Sequence, residues 1–273
     1  MEVRLENMGF SYGDHRILDG IDLVLDKNEL TCILGPNGVG KTTMMYCVNK
    51  LLTPTEGHVY IDGRDVTQIS RKEMSKMISF VPHNENATFS MSVMDTVLMG
   101  RTPYSGTIYS DTDVRIAAEN IKLMGLTDLS MHPFDELSAG QHQKVIIARG
   151  LTQEPRLILL DEPTANLDVR YQLQVMRLLR DLARVKSINV VAICHDLNVT
   201  AMYADRIVMV YDGKIYADGN AKDVLTPENI KAVYGVECEV TEVNGRPHIV
   251  LLDSDELDSH LEKLMVDDGH RLG

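Results

Sequence analysis

Eight consecutive residues, Gly35-Pro36-Asn37-Gly38-Val39-Gly40-Lys41-Thr42, restrict the fold of this chain more than any other feature. They lie between a short apolar strand, Leu30–Leu34, and a helix-forming run from Lys41 to Leu52. A glycine-rich turn in that place lets backbone N–H groups point inward at an anion, where a β-carbon would intrude. The start of the helix adds the positive end of its dipole. Lys41 supplies charge for β- and γ-phosphates, and the Thr42 hydroxyl is a ligand for Mg²⁺. The strand–loop–helix order reads as a phosphate loop and points to an α/β fold.

The remaining periodicity agrees with that frame. Val3–Gly9 and Ile21–Leu25 alternate as strands, with a turn expected over Phe10–Asp14; Gly57–Ile61 and Met77–Val81 are further strands. From Ser92 to about Gly150 the pattern turns helical: Ser92 caps a run to Met99, and Asp113–Met124 stops at Gly125. Then strand and helix alternate: Leu157–Leu160, Tyr171–Arg184, Ile188–Cys194, Asn198–Ala204 and Ile207–Tyr211. Fully apolar strands alternating with helices predict a parallel sheet buried on both faces. In the tail, Val240–Val243 and His248–Leu252 flank Asn244-Gly245, a type I′ hairpin signal, and Asp255–Met265 has the pattern of a short amphipathic helix.

Charge and cysteine usage exclude several classes. Lys plus Arg is 27 and Asp plus Glu is 40, a net charge of −13. With a pI near 5.1, this is the wrong sign for a nucleic-acid surface or a polybasic lipid anchor. No apolar run approaches the ~18 residues of a membrane-spanning helix, and Met1–Phe10 lacks the pattern of a signal peptide. Cys32, Cys47, Cys194 and Cys238 form no CxxC pair, which suits a reducing cytoplasm and argues against a zinc ribbon. Met44, Met45, Met176 and Met202 are expected as core filler.

A second chemical feature is the strand Leu157–Leu160, which ends in Asp161-Glu162. A parallel strand delivers its C-terminal end to the ligand crevice, so Asp161 is placed to hold Mg²⁺ and Glu162 to act as general base on a water. Leu137-Ser138-Ala139-Gly140-Gln141, between this strand and the phosphate loop, resembles the signature loop of ATP-binding-cassette (ABC) proteins, usually LSGGQ. The resemblance covers about Val3 to Gly219.

It implies a phosphate-loop NTPase fold with a mostly parallel core, an N-terminal antiparallel β subdomain and a helical insert at about 84–150. It places residues 1–219 in the ATPase domain and 220–273 in a small extension. Tyr12 matches the aromatic that stacks on adenine, Ala165–Asp168 the D-loop and His195 the switch histidine. The loop from Gly35 to Thr43 would surround the phosphates. Ser138, Gly140 and Gln141 would form an anion site that covers the γ-phosphate held by a second copy, so that ATP·Mg²⁺ joins a head-to-tail homodimer. Lys41, Glu162 and His195 would be the catalytic set, with Thr42 and Asp161 on the metal.

His83 stands where the family carries a glutamine that ligates Mg²⁺. Three roles are open: a hydrogen bond from His83 to water at the site, an amide supplied by Asn84 or Asn86, or a weakened site. Asp95–Tyr104, Val224–Glu228 and Val233–Val236 resemble segments of ATPases for iron–siderophore, haem and cobalamin uptake. That resemblance implies an importer motor on the cytoplasmic side of a membrane, with a separate permease and, indirectly, a substrate-binding protein. An exporter subunit, a soluble ABC ATPase and a phosphate-loop kinase are the alternatives.

Overall fold

The continuous apolar runs of the second half lie in one central sheet, with Asn189–Ile193 and Arg206–Tyr211 on either side of the strand Leu30–Leu34. The computed structural model describes residues 1–83, 91–105 and 108–252. The chain opens with β1 (Val3–Tyr12), β2 (His15–Leu25) and β3 (Leu30–Leu34), followed across the glycine loop by α1 (Lys41–Val48). Next come β4 (Glu56–Ile61), the two-residue β5 (Arg64–Asp65), α2 (Arg71–Met77) and β6 (Ile78–Val81). Three helices follow: α3 (Val93–Leu98), α4 (Asp111–Leu123) and α5 (Ala139–Thr152). The chain then alternates through β7 (Leu157–Leu160), α6 (Val169–Val185), β8 (Asn189–Ile193), α7 (Leu197–Tyr203), β9 (Arg206–Tyr211) and β10 (Lys214–Gly219). It closes with α8 (Ala221–Val224), α9 (Pro227–Tyr234), β11 (Cys238–Val243) and β12 (Arg246–Leu251).

The central sheet has the order β10-β9-β3-β8-β7-β6 and is parallel except for β10, which pairs antiparallel with β9. A second, antiparallel sheet has the order β2-β1-β4-β5. Strand alternation sends each central strand into two separate cores. Leu30, Cys32 and Leu34 pack with α3–α7, and Ile33 packs on the opposite side with α1 and the antiparallel sheet. Ile158 and Leu160 likewise join the first core, Leu157 and Leu159 the second. This explains why β7 is wholly apolar and why β3 and β8 are buried at every position: both faces are covered.

Several boundaries differ from the sequence reading, for local reasons. The turn expected over Phe10–Asp14 is confined to Gly13-Asp14, because Phe10 is buried in the second core and keeps β1 extended. The first helix stops at Val48, short of Leu52, and Lys50 takes φ +56. α4 starts at Asp111 because Ser110 and Asp113 form a reciprocal capping box. Met44, Met45 and Met176 are buried, but Met202 is half exposed, since α7 turns Thr200, Ala201 and Tyr203 inward. The tail hairpin is present, with Asn244 at φ +52 and Gly245 at φ +77. Asn84, Asn86 and Asp255–Met265 lie outside the described residues.

Candidate active site

The phosphate loop is shaped by three glycines at positive φ: Gly35 at +146, Gly38 at +83 and Gly40 at +97. A β-carbon on Gly35 would lie 2.1 Å from the Val210 carbonyl oxygen, and one on Gly40 would lie 2.6 Å from Leu18 Cδ2. Gly40 is also the N-cap of α1 and brings no side-chain cap, so the first-turn amides stay open to an anion. Lys41 is 6% exposed and donates to the Gly35 and Pro36 carbonyls at 2.8 and 2.7 Å. Burial pushes its pKa down from the usual lysine value, with Glu162 and Asp161 acting against that shift. The ammonium is thus folded onto its own loop, within the field of two carboxylates.

Those carboxylates come from the end of β7. The Asp161 amide donates to Val81 O at 2.9 Å, which carries the β6–β7 pairing one residue past the strand. Asp161 is 8% exposed, and both of its oxygens lie 3.2 Å from Thr42 Oγ1. Burial raises its pKa, opposed by the Thr42 hydrogen bond. A buried carboxylate beside a hydroxyl is a hard oxygen pair, and Mg²⁺ fits that donor set.

Glu162 takes φ +52, an uncommon backbone for a non-glycine residue, at the point where the strand turns. Its Oε1 lies 2.6 Å from His195 Nε2, and its Oε2 lies 3.4 Å from His83 Nδ1. The two imidazoles therefore bracket one carboxylate. His83 has Nδ1 on the Glu162 side.

The other sequence-predicted residues fall on nearby loops. Tyr12 is half exposed at the end of β1, its ring edge-on to Phe10 at 4.8 Å. Ser138 caps α5 and exchanges bonds with Gln141: the Gln141 amide donates to Ser138 Oγ at 3.4 Å, and the Ser138 amide donates to Gln141 Oε1 at 3.0 Å. Ala139 is the first residue of α5 and has no positive φ, so its methyl group is accommodated. Gly140 is less free, since a β-carbon there would meet Tyr171 Cδ1 at 2.5 Å. Asp168 accepts from the Tyr171 amide at 3.0 Å and starts α6. A cleft of about 400 Å³, lined in part by His83, Leu137, Gln143 and Asn166, lies between the start of α5 and the strand end.

The sequence reading missed two contacts of this region. Tyr171 holds Gly140 from α6, and Arg101 is buried between Asp113 at 2.8 Å and Glu154 at 2.7 Å, which ties the helical insert to the end of α5. Arg101 lies in the Asp95–Tyr104 segment, but only the folded chain shows its partners.

A phosphate loop at the C-terminal end of the central strand β3, faced by the acids that follow β7, two strands away in the same sheet, defines a phosphate-loop NTPase. Residues 18–165 match the model of the ABC transporter family. The chain is 41% identical over 250 residues to the uncharacterised ABC transporter ATP-binding protein MJ0089 of Methanocaldococcus jannaschii, covering 92% of this chain and 98% of that protein. It is 33% identical to the ferric enterobactin transport ATP-binding protein FepC of Escherichia coli, over 92% of this chain and 94% of that one. Among solved structures it is similar to a transporter described as of the metal-chelate type in an inward-facing conformation, with a TM-score of 0.80, 30% identity, and 92% and 97% of the two chains covered. The chain belongs to the ABC transporter ATP-binding family. Tyr12, Asp168 and His195 lie outside the matched span of the family model. Among the described residues, no helix is long and apolar enough to cross a membrane.

Proposed function

We propose that this chain is the ATP-hydrolysing motor of an importer for an iron complex (siderophore or haem) or cobalamin, acting on a separate membrane permease from the cytoplasmic face. The cargo class is supported by the Asp95–Tyr104 segment and by the similarity to FepC. The hydrolytic reading is carried by one observation: Glu162, directly after Asp161 at the end of β7, has Oε1 2.6 Å from His195 Nε2.

In this reading two copies close over two nucleotides, with Tyr12 against each adenine. Gly35–Thr43 surrounds the phosphates, and the partner copy's Ser138–Gln141 loop covers the γ-phosphate. Lys41 leaves the Gly35 and Pro36 carbonyls and moves to the phosphates. Thr42 and Asp161 would hold Mg²⁺, which would neutralise phosphate charge. Glu162 accepts a proton from water as the water oxygen attacks the γ-phosphorus in line, and the bond to the ADP oxygen breaks. His195, donating from Nε2, keeps the carboxylate aimed at the water.

The test is Glu162→Gln. Loss of a general base costs about 10²–10⁴ in rate, so the variant should retain ATP binding, lose turnover by that factor and accumulate as an ATP-bound dimer. Hydrolysis at the wild-type rate would refute the role of Glu162. Purified from its native host in mild detergent with ATP–Mg²⁺, the trapped variant should carry an integral membrane protein at equal stoichiometry. Recovery of soluble partners alone would refute the importer assignment.

A further inference from the structure

The helix that carries the signature loop, α5, is held at its far end. Thr152 closes α5, Glu154 follows it, and both meet the guanidinium of Arg101, which is 5% exposed. Arg101 Nη1 donates to Thr152 O at 2.9 Å and to Glu154 Oε2 at 2.7 Å, and its Nε donates to Asp113 Oδ1 at 2.8 Å. Asp113 lies in the first turn of α4, where its Oδ2 also accepts from the Ser110 amide and hydroxyl at 2.9 and 2.7 Å. The guanidinium carbon lies 4.2 Å from the centre of the Tyr104 ring, a cation–π contact. One planar fork therefore joins the start of α4 to the last turn of α5, a geometry that an ammonium does not reproduce.

The same end of α5 is fitted closely to its neighbours. A β-carbon on Gly100, next to Arg101, would lie 2.2 Å from Arg149 O, and one on Gly150 would lie 2.9 Å from Ser79 Oγ of β6. Gln153 Nε2 donates to Ile78 O at 2.6 Å and also to Ser75 O. At the other end of the helix, the bonds between Ser138 and Gln141 are local to the cap. Helix α5 is thus anchored at its C-terminal end and carries the signature loop at its N-terminal end. It is 14 residues long, which at ~1.5 Å per residue makes a lever of about 21 Å. On that lever a tilt of about 3° displaces the loop by about 1 Å, and a misplacement of about 1 Å can cost about 10²-fold.

We propose that Arg101 is a positioning residue for the signature loop: by fixing the end of α5 against α4, its guanidinium aims Ser138–Gln141 at the nucleotide held by a second copy. The inference rests on the head-to-tail dimer proposed above. In this role Arg101 acts through the direction of α5 and not by contact with nucleotide. Each copy takes up nucleotide at its own phosphate loop, whereas closure needs the signature loop of the other copy. Loss of the Arg101 fork therefore separates two quantities, keeping the first binding step and weakening the closed dimer.

The test uses the full-length chain carrying Glu162→Gln, titrated with ATP–Mg²⁺ while dimer formation is followed by sedimentation velocity. Adding Arg101→Lys should raise the dimer dissociation constant by between about tenfold and 10²-fold, the scale of a misplacement of about 1 Å. Affinity of the monomer for a fluorescent ATP analogue should stay within about twofold, because the phosphate loop is a separate site. Arg206→Lys controls for lost stability alone. It breaks a comparable two-point pair, with Asp218 at 2.7 and 2.6 Å, at the opposite edge of the central sheet from β6, and should leave dimerisation within about twofold. Glu154→Ala removes one anchor from a side chain that is 55% exposed, and should weaken the dimer about two- to fivefold. Dimerisation of Arg101→Lys with the affinity of its Glu162→Gln parent would overturn the positioning role, as would an equal loss from Arg206→Lys. Should Arg101→Lys fail to fold, parent-like dimerisation of Glu154→Ala would overturn it. A Glu162→Gln chain that binds the analogue but forms no dimer with ATP would refute the head-to-tail reading itself, and this inference with it.

Discussion

Two glycines of the phosphate loop, three residues apart, should respond very differently to a single methyl group. Gly38 and Gly35 both have positive φ, at +83 and +146, so alanine at either position is strained. At Gly38 nothing lies within 4 Å of the added carbon, and the cost is the backbone alone, about 1–2 kcal/mol. At Gly35 the new carbon would sit 2.1 Å from Val210 O. That oxygen belongs to β9, which is paired on one side with β3 and on the other with β10, so it yields only if the sheet or the loop shifts. Overpacking adds about 1–3 kcal/mol to a backbone cost of about 1–3 kcal/mol, for about 2–6 kcal/mol in all. Urea unfolding followed by far-ultraviolet circular dichroism measures both variants against wild type. Gly35→Ala should lose at least about 1 kcal/mol more than Gly38→Ala. Equal losses, within about 0.5 kcal/mol, would show that the loop absorbs the methyl group without moving β9 and would refute the argument from close approach.

Lys41→Ala should weaken nucleotide binding itself, because it removes the charge that moves to the phosphates; isothermal titration with ATP–Mg²⁺ should show a large rise in Kd, and an unchanged Kd with reduced turnover would contradict this role. The buried pair Arg101–Asp113 predicts a pH dependence: Arg101, then Ser110, hold the Asp113 carboxyl down at about 2, so its stabilisation is complete above the unfolded value near 4 and is lost as pH falls towards 2. Urea midpoints of wild type and Asp113→Asn should therefore converge over that window, and parallel profiles would refute the pairing. His83→Gln should leave turnover within about threefold, since the 3.4 Å contact with Glu162 is long and the shorter His195 contact remains; a large gain in Mg²⁺-dependent rate would mean that His83 weakens the site.

Much of this architecture was legible because periodicity and local chemistry agree. Leu157–Leu160 forms the strand expected of it, since four apolar residues followed by two acids leave one reading once a phosphate loop precedes them. The Asn244-Gly245 turn is equally local. What was not legible depends on distant partners. The β10 strand alternates exposed and half-buried residues and exists because it pairs with β9. Arg101 reads as an ordinary charge after a helix, yet it is buried, and its partners lie 12 and 53 residues away.

The two departures from the family pattern differ in kind. At Ala139 the pattern requires glycine less than the motif suggests, because the residue is the first of α5, has no positive φ, and takes its methyl group within an ordinary helical start. Its neighbour Gly140 cannot change in the same way, since the Tyr171 ring fills the space where a β-carbon would go. Tyr171 in turn is fixed by Asp168, which accepts its amide. The signature glycine is thus held by packing against the D-loop helix, and substitution there should disturb the D-loop as well as the anion site. His83 is a chemical departure. An imidazole is a poor ligand for Mg²⁺, but it can donate to a carboxylate, and its Nδ1 is on the Glu162 side. A glutamine in its place could serve the metal; the histidine is placed instead beside Glu162, the proposed general base.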